Sequence, residues 1–200
     1  YRGVIIRHNF WHHIGGSEPD RMRGGVRLDD AICGVLIYGN VFWKASQGLF
    51  GGVQIHGGKE NEVANNLFVD CRYGVSFSRW GAQRWAETMA SDAVRKATRE
   101  DVDITKPPFS TRYPALARLV ENPDVNRIWC NVAVNCGEFL TRDGGIEDTL
   151  DNLVLANDPG FENLNAGKFT LRPNSPVFAR CGFMPIPFNQ IGRYAHPLAV

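Results

Sequence analysis

The stretch GVLIYGNVFWKASQGLFGGVQIHGGKENEVANNLFVDC (34–71) contains one pattern twice. In GVLIYGNVFWKA (34–45) and NEVANNLFVDC (61–71), short apolar runs flank an asparagine, Asn40 and Asn66. The pattern extends outward to GVIIRHNFWHHI (3–14), around Asn9, and to NRIWCNVAVNC (126–136), around Asn131. Successive asparagines lie 31, 26 and 65 residues apart, a repeat interrupted by one long insertion. A second series alternates with the first: GVRLDD (25–30), GVQIHG (52–57), GVSFSR (74–79) and EFLTRD (138–143).

Short β-branched runs of period two, bounded by Gly and Asn, read as strands. Strands recurring every 20 to 30 residues or so point to a solenoid whose successive coils build parallel sheets. The leucine-rich repeat signature is missing, and a sandwich would need antiparallel strands at roughly 8 to 12 residue spacing. The expected class is therefore all-β, a parallel β-helix. Asparagine and glycine suit its corners because both accept left-handed backbone angles. Stacked asparagines also form side-chain hydrogen-bond ladders. Asn9, Asn40, Asn66 and Asn131 are given that structural role, and Ile14, Ala45, Cys71 and Cys136 an interior column.

The 200 residues are 44% apolar and 22% charged, enough for a folded domain with a real core. Lys and Arg number 22 against 21 Asp and Glu, a net charge of +1, which argues against a nucleic-acid partner held by a basic face. No apolar run approaches the roughly 18 residues of a membrane-spanning helix. The five cysteines have no metal-ligand spacing and read as buried free thiols; neither metal nor cofactor is expected. The opening YRGVIIRHNF (1–10) reads as a strand already under way, as in the C-terminal part of something longer.

Coils are assigned to residues 1–79 and 123–157, with a helical insertion over 80–122 and an extended cap over 158–200. WAETMASDAVRKATREDV (85–102) is expected to form a surface helix ended by Lys106-Pro107-Pro108. Pro114 can open a second, shorter helix. DNLVLANDPGF (151–161) is a candidate last coil, GKFTLRPNSP (167–176) a closing strand and turn, and GFMPIPFNQIG (182–192) an extended run along the solenoid.

Because side chains alternate along a strand, Val26, Leu28, Val53, Ile55, Val75 and Phe77 should face inward. Arg27, Gln54 and Ser76 then form one outward column, and Asp29, His56 and Ser78 the next. The same alignment carries Arg142 into the second column and puts Asp30, Gly57, Arg79 and Asp143 at the sheet edge. With coils about 4.8 Å apart, Asp29 and His56 become neighbours. Lys59, Glu60 and Arg79 are expected within reach, Asp70 aligns with Lys44 and Asn135 as a turn residue, and Trp43, Trp80 and Trp85 supply surfaces on which a sugar could stack. His56, followed by Gly57-Gly58, is expected to stand on a bare turn. Adjacent carboxylates such as Asp29 and Asp30 tend to raise each other's pKa. The result is a groove wall suited to an extended, hydroxyl-rich polymer.

LDDAICGVLIYGNVFWKASQGLFGGVQIHGGKENEVANNLFVDC (28–71) resembles the catalytic region of right-handed parallel β-helix proteins from bacterial polysaccharide-utilisation systems, close to family 141 glycoside hydrolases. PPFSTRYPALARLVENP (107–123) and the tail elements are similar to the C-terminal portion of the same group. The resemblance implies cleavage of plant or algal polysaccharides, a secreted or periplasmic location, and further N-terminal coils not present in this chain. For hydrolysis, Asp29 and Asp30 are given the central role, Asp70 or Glu60 can partner them, and His56 orients a carboxylate or binds a hydroxyl. Arg27, Gln54, Lys59, Glu60, Arg79 and Trp80 are the substrate-binding candidates. A polysaccharide lyase would instead use Lys59, Arg79 or His56 as base, with Arg27 or calcium neutralising a uronate. A non-catalytic carbohydrate-binding solenoid would keep the groove alone.

Overall fold

The structure, a computed structural model, describes residues 2–16, 18–121, 125–142 and 146–191. The chain passes through three parallel sheets in a repeating order. The first circuit is β1 (Ile5–Arg7), β2 (Phe10–His12) and β3 (Val26–Leu28). The second is β4 (Leu36–Tyr38), β5 (Val41–Trp43) and β6 (Val53–His56). The third is β7 (Glu62–Ala64), β8 (Leu67–Val69) and β9 (Tyr73–Ser78). After a helical segment come β10 (Val125–Trp129), β11 (Val132–Val134) and β12 (Glu138–Arg142), then β13 (Ile146–Leu150) and β14 (Leu153–Leu155). Equivalent strands pair, so the sheets run β1-β4-β7-β10-β13, β2-β5-β8-β11-β14 and β3-β6-β9-β12. The protein is thus mostly β, with parallel strands stacked circuit upon circuit.

Register follows from what each circuit buries. Ile37, Phe42, Val53, Ile55, Val63, Phe68, Val75, Phe77 and Ile128 form one core, with Ala45 and Cys71 inside it and Ile14 and Cys136 packed against it. Phe42 lies opposite Trp11 and Phe68, and its ring stacks on Phe68 at 4.8 Å. A one-residue slip in any strand would turn such side chains out to solvent.

The asparagines tie the circuits together. Asn9, Asn40, Asn66 and Asn131 each donate both the backbone N–H and the side-chain amide to the Oδ1 of the next, ending on Asn152, at 2.9–3.1 Å. The left-handed conformation expected at these four falls instead on the residue before each: His8, Gly39, Asn65 and Cys130 have φ of 55°, 62°, 55° and 50°. A ladder asparagine must turn its amide inward along the stack, so the sharp bend sits one residue earlier. A second, shorter ladder that the repeat did not reveal joins Val35, Asn61 and Asn126.

Between β9 and β10 the long helix expected over 85–102 is two pieces. The first, α1 (Ala82–Met89), starts earlier than expected, and Ser91 then caps α2 (Asp92–Arg95) by accepting from the Val94 N–H; this second piece runs on as a π-helical turn over Lys96–Glu100. A Ser side chain that caps a new helix ends the old one. The Pro114 turn is 3-10, over Pro114–Arg118.

The register across this segment also departs from the alignment. Thr141 lies opposite Ser76 and Arg142 opposite Phe77, so Arg142 does not follow Ser78 in its column. The offset is the 65 residues that separate Asn66 from Asn131, one more than the alignment used. Asp143 lies outside the described residues.

Past β14 the chain covers the outer face of the second sheet. Val41, Leu67, Val69, Val132 and Val134 form a second core with Phe161, Phe169, Val177, Phe183 and Ile186. An antiparallel pair, β15 (Phe161–Asn163) and β16 (Lys168–Leu171), supplies Phe161 and Phe169. The Asn65 side chain fastens the following run by accepting from Met184 N–H and donating to Met184 C=O, at 2.6 and 3.0 Å. Residues 192–200 of the expected cap lie outside the described residues. Among the described residues no helix is long and apolar enough to cross a membrane.

Candidate functional site

The site is the corner at which the third sheet ends. Leu28 is paired with Ile55 and Ile55 with Phe77, so Asp29 emerges beside His56, and His56 beside Ser78. His56 Nδ1 is 2.9 Å from Asp29 Oδ1 and 3.6 Å from Asp30 Oδ1. Arg27 Nη2 reaches Asp29 Oδ1 at 2.8 Å, and Arg84 Nη2 stands 3.7 Å from Asp30 Oδ1.

Backbone shape sets Asp30. Asp30 and Ala31 have φ of 48° and 62°, where the next circuit carries Gly57 and Gly58 at 66° and 79°. The same bend that glycine makes freely is imposed on an aspartate and an alanine. Aspartate tolerates it through local hydrogen bonds, whereas a non-Gly residue such as Ala31 holds about 1 kcal/mol or more of strain there. Gly57 has a second reason to lack a side chain, since a Cβ there would lie 2.5 Å from the Trp80 ring. The turn after His56 is therefore covered by Trp80 and not bare; His56 meets that ring edge-on at 6.1 Å.

The hydrogen bond from His56 holds the Asp29 carboxyl below the ordinary carboxylate value; burial opposes this, and the Arg27 charge and the Asp30 N–H reinforce it. The upward push expected between adjacent carboxylates does not prevail at Asp29. A hydrogen-bonded carboxylate beside a guanidinium prefers its charged form.

Several expected contributors lie elsewhere. Gln54 is buried, accepting from the Ser76 hydroxyl and donating to Ser78 Oγ, so it braces the sheet and does not face a groove. Lys59 is 3% exposed and its Nζ donates to the carbonyls of Arg118 and Glu121, which fastens the helical segment; burial lowers its pKa. Glu60 turns the opposite way into an ion pair with Arg2. Asp70 lies at the other end of the third sheet, beyond the six residues of β9, roughly 20 Å away. There it accepts from Trp43 Nε1 and Asn135 Nδ2, which excludes it as a partner for Asp29 or Asp30.

The aromatic residues divide likewise. Trp85 is fully buried, and the Trp43 ring is occupied by Phe10, His13, Phe169 and Lys44. Neither offers a face to a sugar. Trp80 stays at the site, with the Arg84 guanidinium 3.8 Å from its ring centroid. Arg79 leaves β9 exposed at the same end of the sheet.

Arg84 is the residue that repeat reading passed over. It lies on α1, outside the repeat, where its guanidinium packs on the Trp80 ring that precedes the helix. Asp29, Asp30 and His56 each offer a ligand atom within 4.8 Å of the others, a set able to meet a divalent cation. Arg27 and Arg84 bring positive charge to the same carboxylates and oppose a cation there. No protein-family model matches the chain, and the searches of curated proteins and of solved structures likewise produced no match.

Proposed function

We propose that the stacked sheets wind as a right-handed parallel β-helix and that the chain is a secreted or periplasmic glycoside hydrolase acting on polysaccharide. The observation that carries this reading is the meeting of Asp29, Asp30 and His56 within 4.8 Å on the outer surface, with Trp80 beside them. Glycoside hydrolysis needs two carboxyl groups flanking the bond, about 5–5.5 Å apart for retention and about 6.5–9.5 Å for inversion. The close approach of Asp29 and Asp30 suits the shorter class. Asp29, held ionised by His56, is the nucleophile, and the more exposed Asp30 is the acid and then the base. His56 orients Asp29, while Arg84 and Trp80 bound the sugar site.

Two observations weigh against a lyase. Lys59 is turned into carbonyls of the helical segment, and Arg27, the residue that would neutralise a uronate, is taken up by Asp29. The test is turnover of a panel of plant and algal polysaccharides, read as reducing ends and as ultraviolet absorbance. Release of reducing ends without unsaturated product is expected, falling roughly 100-fold or more in Asp29→Asn and in Asp30→Asn. An absorbing product, retention of polysaccharide without turnover, or full activity in both variants would overturn the assignment.

A further inference from the structure

Cys71 and Cys136 are neighbours across two circuits. Val69 pairs with Val134, and two residues further on the cysteines occupy the same place in successive circuits. Hydrogen bonds from Asp70 N–H to Val134 C=O at 3.1 Å and from Gly137 N–H to Cys71 C=O at 3.0 Å bracket them. Stacked parallel positions lie about 4.8 Å apart, inside the roughly 4.4–6.8 Å Cα window that a disulfide spans. Cys71 is buried in the core, whereas Cys136 packs against it and keeps partial exposure.

We infer that Cys71 and Cys136 form a two-thiol redox site, closed to a disulfide by an oxidised low-molecular-weight disulfide such as oxidised glutathione. The two thiols already differ in character. Hydrogen bonding from Cys71 lowers the Cys136 pKa against the effect of burial, while Cys71 is raised by the same contact and by its own burial. Burial raises the remaining three, Cys33, Cys130 and Cys181. The Cys136 thiolate is therefore the attacking group, since thiolates and not thiols are nucleophilic.

Cys136 Sγ attacks one sulfur of the reagent, a protein–glutathione bond forms, and one glutathione thiolate leaves. The Cys71 proton passes to solvent or to that thiolate. Cys71 Sγ then attacks Cys136 Sγ and expels the second glutathione, so two protein thiols are oxidised while one reagent disulfide is reduced to two thiols. The new bond closes a loop of 65 residues that contains the whole helical segment.

The folded full chain is incubated with oxidised glutathione, alkylated, digested without reductant and mapped by mass spectrometry. A single linked peptide pair containing Cys71 and Cys136 is expected, with Cys33, Cys130 and Cys181 alkylated. The oxidised chain should melt about 10 °C above the reduced one, because closing a long loop constrains the unfolded state. Cys71→Ser should accumulate the glutathione adduct at Cys136. Alkylation of both Cys71 and Cys136 in the oxidised wild-type chain, or a linked pair made from other cysteines, would overturn the inference; neither readout requires a variant to fold.

Discussion

At Asp29 the local chemistry is a carboxylate held ionised by an imidazole and a guanidinium, on a strand end whose position the sheet register sets. Its depressed pKa means that the stabilisation from the His56 and Arg27 contacts is complete above the ordinary carboxyl value near 3.9. It is lost as the pH falls through the lower value of the folded chain. A carboxyl-resolved NMR titration should place the Asp29 midpoint below about 3.9, and His56→Gln should move it upward. A midpoint in the intact chain at or above that value would show that His56 does not hold the charge. Asp30, by contrast, is fixed by backbone more than by partners, through a left-handed φ of 48° that the next circuit assigns to glycine.

At the scale of elements, the helical segment is held to the sheets by a few named contacts. Lys59 donates to the carbonyls of Arg118 and Glu121, and its Nζ lies 5.9 Å from the centroid of the buried Trp85 ring. A hydrogen bond from a charged donor contributes about 1.5–3 kcal/mol. Lys59→Met should accordingly speed amide exchange over 82–118 by about 10-fold or more while leaving β5 and β8 protected. Equal acceleration in the strands would mean that the two parts open as one unit. Because Arg84 rides on α1 and reaches Asp30, loosening this segment should also disturb the site.

Across the whole molecule, the asparagine ladder converts a sequence repeat into a shared hydrogen-bond system. Asn66 is fully buried; its Oδ1 takes two bonds from Asn40 and its amide donates to Ile37 C=O and Asn131 Oδ1. Asn66→Ala strips that partner from two buried groups, Asn40 N–H and Ile37 C=O, at about 1–3 kcal/mol each before relaxation. Asn40 Nδ2 keeps the Ile6 and Tyr38 carbonyls, and Asn131 Oδ1 keeps the backbone N–H of residue 66. Urea denaturation should therefore show a loss of about 3–5 kcal/mol, with Asn9→Ala, at the end of the ladder, costing much less. Equal losses at the two positions would mean that the ladder is not the source of the stability. Much of this architecture was legible beforehand. Period-two runs and asparagine spacing are enough to sort residues into columns, and they put Asp29 next to His56 across 27 positions. The one misplaced column came from across the insertion, where apolar patterning alone misses a slip of one residue although the asparagine spacing contains the right answer.

The sequence by itself determined the repeat, the inward set and the strand-end neighbours, because each follows from a period written into the chain. Only the tertiary structure decided which outward residues remain open. Gln54, Lys59 and Trp85 are covered, Asp70 is carried to the far end of its sheet, and Arg84 is delivered to Asp30. The physical reason is that Lys59 is covered, and Trp85 and Arg84 placed, by the helical insertion, which has no periodicity, while Gln54 is taken up by the Ser76 and Ser78 hydroxyls. Such contacts depend on where a folded surface has room and unpaired polar groups, and no spacing along the chain records that.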